Sequence, residues 1–125
     1  REILKTGSRE EKKHILWLAC CKTYRFIREF ARDILHEYTN TGRKTITYND
    51  YEAFYNNKAD HSEKLASLKQ STRKKLRAVL FKMMKEAELI NREQEITPVI
   101  VSKRVRQVIK RDEPDFLLIY PGVRQ

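Results

Sequence analysis

Apolar and polar positions along the chain recur with a helical period over most of its length. From Ser8 onward, Cys20, Tyr24, Ile27, Ala31, Ile34 and Tyr38 follow one another at spacings of 4, 3, 4, 3 and 4, a continuous apolar stripe. Ser8 suits the N-cap of this helix, and Glu10 and Glu11 fall in the first turn, where the helix dipole favours carboxylates. Asn40-Thr41-Gly42 stops it. Trp17, Phe26 and Phe30 lie off the stripe, so the helix is expected to pack between elements. His14 and His36 are expected on its surface.

Thr45-Ile46-Thr47 is short and β-prone. Thr47, with Asp50 three residues on, then caps a second helix to about Asn57, whose apolar side is Tyr48, Tyr51, Phe54 and Tyr55. Ser62 caps a short helix from Glu63 to Leu68, buried through Leu65 and Leu68. After Lys69-Gln70, Ser71 or Thr72 caps the strongest helix, which runs to near Glu88 with Leu76, Val79, Leu80, Met83, Met84 and Ala87 as its apolar positions. Leu89-Ile90, the polar run 91–95 and Ile96-Thr97 read as a small hairpin. Ser102 caps a last helix through Arg111, with Val105, Val108 and Ile109 facing in. Phe116 to Tyr120 is a final apolar segment closed by Pro121-Gly122.

A short strand, three helices with the middle one very short, then a hairpin is the order of a winged helix-turn-helix. The expected fold is mainly α, a long N-terminal helix packed on a winged helix-turn-helix with a small β-hairpin wing. Residues 1–41 form the helical region, and 42–125 form the winged domain with its C-terminal helix. Centring the third helix on Leu76 and Leu80 puts Ser71, Lys74, Ala78, Phe81 and Lys85 on the far side, flanked by Lys75, Arg77 and Lys82. Phe81 is out of place there. A large aromatic on an outer face calls for protein cover, from the long helix, a segment upstream or a second copy of the chain.

Charge sharpens this picture. The net charge is +10, and its distribution is uneven. Residues 69–85 carry seven basic and no acidic side chains, 102–111 carry five and none, and the remainder sums to −2. Two concentrated stripes point to a polyanion. With a third helix in the major groove and a wing and turn on phosphate, the expected duplex DNA contacts are Lys69, Ser71, Thr72, Arg73, Lys74, Lys75, Arg77, Lys82 and Arg92, with Lys103, Arg104 and Arg106 on flanking backbone. A solvated lysine face usually interleaves glutamate, and this one does not. Two other readings stay open: an RNA-binding helical module, and an adaptor whose basic helix docks an acidic partner. The hairpin and the lack of a stacking aromatic platform favour duplex DNA.

Signs of catalysis are weak. Gly7, Gly42 and Gly122 are isolated, so there is no phosphate-cradling loop. His14, His36 and His61 have no ligand spacing with one another or with the adjacent Cys20 and Cys21, so neither metal nor cofactor is expected. Asp33, Asp50 and Asp60 are accounted for as helix-surface charge, cap and turn. The longest apolar run, Ile15 to Cys21, is seven residues, far short of the ~20 that a membrane span needs. A non-enzymatic, cytoplasmic protein is expected.

The runs Ile15-Leu16-Trp17-Leu18-Ala19-Cys20-Cys21-Lys22-Thr23-Tyr24 and Phe30-Ala31-Arg32-Asp33-Ile34-Leu35 resemble the BrxA family of the bacteriophage exclusion (BREX) systems. The likeness continues through Ser71-Thr72-Arg73-Lys74-Lys75-Leu76-Arg77, through Phe81 to Ile90, and to Tyr120-Pro121, so it covers about residues 15–121. It rests on pattern, not on a catalytic signature. The resemblance implies a small, mostly helical DNA-binding accessory protein acting beside methyltransferase and ATPase components. It also implies a further helical region upstream of Arg1, which would make this chain the C-terminal part. Self-association is expected through Phe81 or the long helix.

Overall fold

A computed structural model describes residues 8–112 and 114–123, so the outer ends of the two expected regions, 1–7 and 124–125, lie outside the described residues. The chain is mainly helical. In order come α1 (Arg9–Thr23), α2 (Arg25–Phe30), a π-helical segment (Ala31–His36), α3 (Glu37–Asn40), α4 (Tyr48–Ala59), α5 (Glu63–Ala66), α6 (Gln70–Glu86), α7 (Lys103–Asp112) and a 3-10 segment (Pro114–Ile119). Extended pairing among the described residues consists of two isolated antiparallel bridges, Thr45 with Glu95 and Ile90 with Ile96.

Local chemistry sets most helix starts. Ser8 and Glu11 form a reciprocal capping box at α1, and Thr47 and Asp50 form another at α4. The Ser62 hydroxyl accepts from the Leu65 amide, and that of Ser102 from the Val105 amide. α6 departs from expectation: it starts at Gln70 behind Lys69, with no side-chain cap, so Ser71 and Thr72 sit inside its first turn. Its end is sharp. Glu88 takes a left-handed φ of 61°, its amide bonds the Lys85 carbonyl, and the Leu89 amide reaches back to Met84. The hairpin that follows turns at Asn91, whose Oδ1 accepts from the Glu93 and Glu95 amides, and Gln94 is left-handed at φ 61°.

The expected single long helix is interrupted. Tyr24 is extended, at φ −117° and ψ 105°, and the wider π turn follows at Ala31. The break turns Tyr24 outward, while Trp17 before it and Phe30 after it, both off the stripe, are buried. His14 and His36 are also buried, which corrects their surface placement. The cause is the C-terminal apolar segment, which folds across this helical region. Trp17 Nε1 donates to the Ile119 carbonyl at 3.0 Å, His36 Nδ1 to the Tyr120 carbonyl at 3.1 Å, and the Tyr120 hydroxyl to the His14 carbonyl at 2.6 Å.

The phase of α6 needs a larger correction. Leu80, Phe81 and Met84 are its buried residues, while Leu76 and Val79 are 38% and 54% exposed. Phe81 is 2% exposed and stands edge-on to Tyr48 of α4 at 4.9 Å, with Tyr51 beyond at 6.4 Å. The predicted protein cover exists, but α4 supplies it. Tyr51, Phe54, Phe26 and Phe30 extend this aromatic packing, with ring centroids 5.2–6.1 Å apart, into one core that also takes in Leu89, Val105, Ile109 and Tyr120. Burying an aromatic removes more apolar surface than burying a Val or Leu, so Phe81 decides which side of α6 turns inward.

Two outcomes follow from this packing. Phe81→Ala should destabilise the fold by about 3–5 kcal/mol, and Val79→Ala by no more than about 0.5 kcal/mol. Chemical denaturation compares them, and equal losses would put the inward face elsewhere. Burial also holds the His14 imidazole below its ordinary value, despite Glu10, Glu88 and Glu11 nearby. The unfolded chain therefore takes up this proton more readily than the folded one. Stability from neutral His14 is present above pH ~6.5 and is lost as the pH falls below it. Melting temperature should drop between pH ~6.5 and ~4.5, above the carboxylate range, and His14→Gln should flatten that drop.

Candidate nucleic-acid interface

With Phe81 turned inward, α6 presents a different outer face from the one centred on Leu76. Ser71, Lys74, Lys75, Ala78, Lys82 and Lys85 are all exposed. At 100° per residue they share one side of the helix, and no carboxylate falls among them; Glu86 marks its edge. Lys69 is exposed at the helix entry, and Thr72 is half-buried.

The two arginines of α6 point the other way. The Arg77 Nη1 lies 3.3 Å from the Glu52 Oε1, and its guanidinium sits 4.1 Å over the Tyr48 ring. Arg73 donates from Nη2 to the Ala66 carbonyl at 3.2 Å and stacks 4.8 Å from the Tyr55 ring. Arg73 and Arg77 thus stitch α6 to α4 and α5, whereas Lys74, Lys75 and Lys82 are brought together outside. Lys85 joins them; it was not among the residues expected to contact DNA, although the helical wheel already placed it on the outer side.

The hairpin stands at the C-terminal end of this face. Lys85, Glu86, Glu88, Ile90, Asn91, Arg92 and Thr97 line a cleft of about 540 Å³ between helix and hairpin, so Lys85 and exposed Arg92 share its walls. The α7 stripe is set apart. Val105 and Ile109 anchor α7, with Lys103 and Arg104 exposed and Arg106 half-buried. Between α6 and α7 run the first turns of α1 and their carboxylates. Glu11 accepts from the Ser102 hydroxyl at 2.6 Å and lies 3.9 Å from Arg104. Glu88 is held by Lys13 at 2.8 Å and Arg9 at 3.5 Å. The Ser102 hydrogen bond keeps the Glu11 carboxyl below its usual range, and the Lys13 hydrogen bond does the same for Glu88, so both are ionised near neutrality. These charges divide the two basic stripes.

Among the described residues, no group of three or more His, Cys, Asp or Glu is arranged to hold a metal ion, and no helix is long and apolar enough to cross a membrane. Cys21 is buried and Cys20 partly so, and burial pushes both thiols upward.

The sequence model of the BrxA family matches residues 1–113. A curated relative, the BREX protein BrxA of Bacillus cereus (strain H3081.97), is 33% identical over 81 residues, spanning 65% of this chain and 40% of that protein's length.

The geometry separates two kinds of cation on α6. Arg77→Ala should lower stability by about 1–2 kcal/mol through the lost stacking and ion pair, while Lys74→Ala and Lys75→Ala stay within about 0.5 kcal/mol. Urea denaturation reads the difference; a neutral Arg77→Ala would mean that this side chain is not a structural tether.

Proposed function

The chain belongs to the BrxA family, and on that premise we propose that it is a non-catalytic DNA-binding accessory component of a bacteriophage-exclusion defence system. In this reading 42–125 is a winged helix-turn-helix domain with its C-terminal helix. Thr45 is the first strand, α4 and α5 lead into α6 as the recognition helix, and the hairpin spanning the Ile90–Ile96 bridge is the wing. The Thr45–Glu95 bridge supports that reading, because a winged helix pairs its first short strand with the wing. The observation that carries it is the exposed outer face of α6, four lysines with Ser71 and Ala78 and no carboxylate.

A duplex has one negative charge per ≈1.7 Å of axis, and lysines spaced along a rod of about 25 Å match it by releasing condensed counterions. Arg92 would follow the wing into the neighbouring groove. Lys103, Arg104 and Arg106, beyond the carboxylates of α1, would make secondary contacts to flanking backbone, which position without specifying. Other components of the defence system are the further partners.

A specific surface favours a second role, that of an adaptor. Lys13, Leu16, Trp17, Cys20, Met83, Glu86 and Ala87 line a cleft of about 160 Å³ between α1 and α6, with Leu16 exposed on it and Val79 exposed on α6. This apolar surface is distinct from the lysine face, so the two roles are compatible.

Replacing Lys74, Lys75 and Lys82 together with Ala should weaken duplex DNA binding at least tenfold. The slope of log K against log salt should flatten by about 2 to 3, each lost phosphate contact contributing ≈0.9. Fluorescence anisotropy across a salt series measures both quantities. A folded triple mutant with parental affinity and slope would move the site away from α6.

A further inference from the structure

We infer that this chain binds duplex DNA without reading its base sequence, an inference that rests on the DNA-binding reading above. Direct readout in the major groove relies on side chains that make paired hydrogen bonds to a base edge, arginine to guanine above all, and asparagine or glutamine to adenine. The recognition helix holds two arginines, and neither is presented to a groove. Arg77 is committed to Glu52 and the Tyr48 ring, and Arg73 to the Ala66 carbonyl and the Tyr55 ring. Bringing either guanidinium to a base would break an ion pair or hydrogen bond and expose an aromatic face that it covers.

The amides are no better placed. Gln70, the first residue of α6, is exposed, but it lies two turns before Arg77 on the flank of the helix, about 90° round from the middle of the lysine face. Asn91 is spent in the hairpin, where its Oδ1 accepts from two backbone amides and its Nδ2 donates to Glu95 at 2.9 Å. On the outer face remain Ser71, whose hydroxyl suits any base, Ala78, and lysines, which can reach guanine but only as rotatable point charges with no fixed fork. Arg92 on the wing would meet the minor groove, whose pattern barely distinguishes A·T from T·A. The face is built to hold phosphates in register. Such binding makes every stretch of duplex an equivalent substrate, so any choice of DNA has to come from partners.

Anisotropy titrations of the whole chain against three duplexes of equal length and equal base composition but permuted sequence test this at a single salt concentration. The expected dissociation constants agree within about threefold, far below the 10³–10⁷ ratios of specific binders. The Arg77→Ala variant, once shown to be folded, leaves the ratios between duplexes unchanged. A preference of tenfold or more for one duplex, or a ratio that collapses in Arg77→Ala, overturns the inference while leaving DNA binding intact. Failure to bind any duplex at about 50 mM salt, where phosphate contacts are strong, would instead remove the DNA-binding reading itself.

Discussion

Phe81 sets the rotation of α6 about its own axis, and the functional geometry depends on that angle. Standing edge-on to Tyr48 at 4.9 Å, it brings Arg77, one turn earlier on α6, over that same Tyr48 ring and beside Glu52. An edge-to-face pair contributes about 0.5–1.5 kcal/mol beyond the area it buries. With Phe81 and Arg77 inward, the lysines at 74, 75, 82 and 85 have no direction left but outward. A turn of roughly 100° the other way would bury Leu76 and Val79, expose Phe81 and bring the arginines toward solvent. One side chain thereby decides both how α6 docks and which cations it displays.

The helical layer that backs this arrangement is closed by the C-terminal segment. Trp17, His14 and His36 all meet backbone or ring of residues 119–120, so α1 and the π segment are tied to the far end of the chain. Gly122 completes the closure. Its φ is +84°, and a Cβ there would come within 2.8 Å of the Pro98 side chain, while the Val99 amide donates to the Pro121 carbonyl beside it. The segment after the Ile90–Ile96 bridge and the chain end are thus held together, which fixes where the bridged turn emerges relative to α1. The carboxylates Glu11 and Glu88 sit at this junction and take up cations from α1 and α7, leaving the α6 lysines as the more uniformly basic face.

The parts legible in the sequence are those governed by neighbours along the chain. Ser8, Thr47, Ser62 and Ser102 each cap within three residues, and the hairpin around Asn91 follows from a polar run between apolar pairs. The basic stripe of 69–85 was visible as a charge run. The phase of α6 was not, because Leu76, Val79, Leu80, Phe81, Met83 and Met84 cover most of the circumference and only the aromatic ladder of α4 chooses among them. The inward turn of Arg73 and Arg77 follows from that same choice. Buried His14 and His36 were missed because the segment that covers them arrives about a hundred residues later. Neither Glu88 nor Gln94 announces a left-handed φ as a glycine would.

Lysine footprinting puts the central claim to the most direct test. The chain is acetylated briefly with and without duplex DNA, and modification at each lysine is quantified by mass spectrometry. Protection is predicted at Lys74, Lys75, Lys82 and Lys85, with Lys103 and Lys110 changing less and Lys58, paired with Glu29, not at all. Protection concentrated on α7, with the four α6 lysines as reactive as in the unbound protein, would contradict the account.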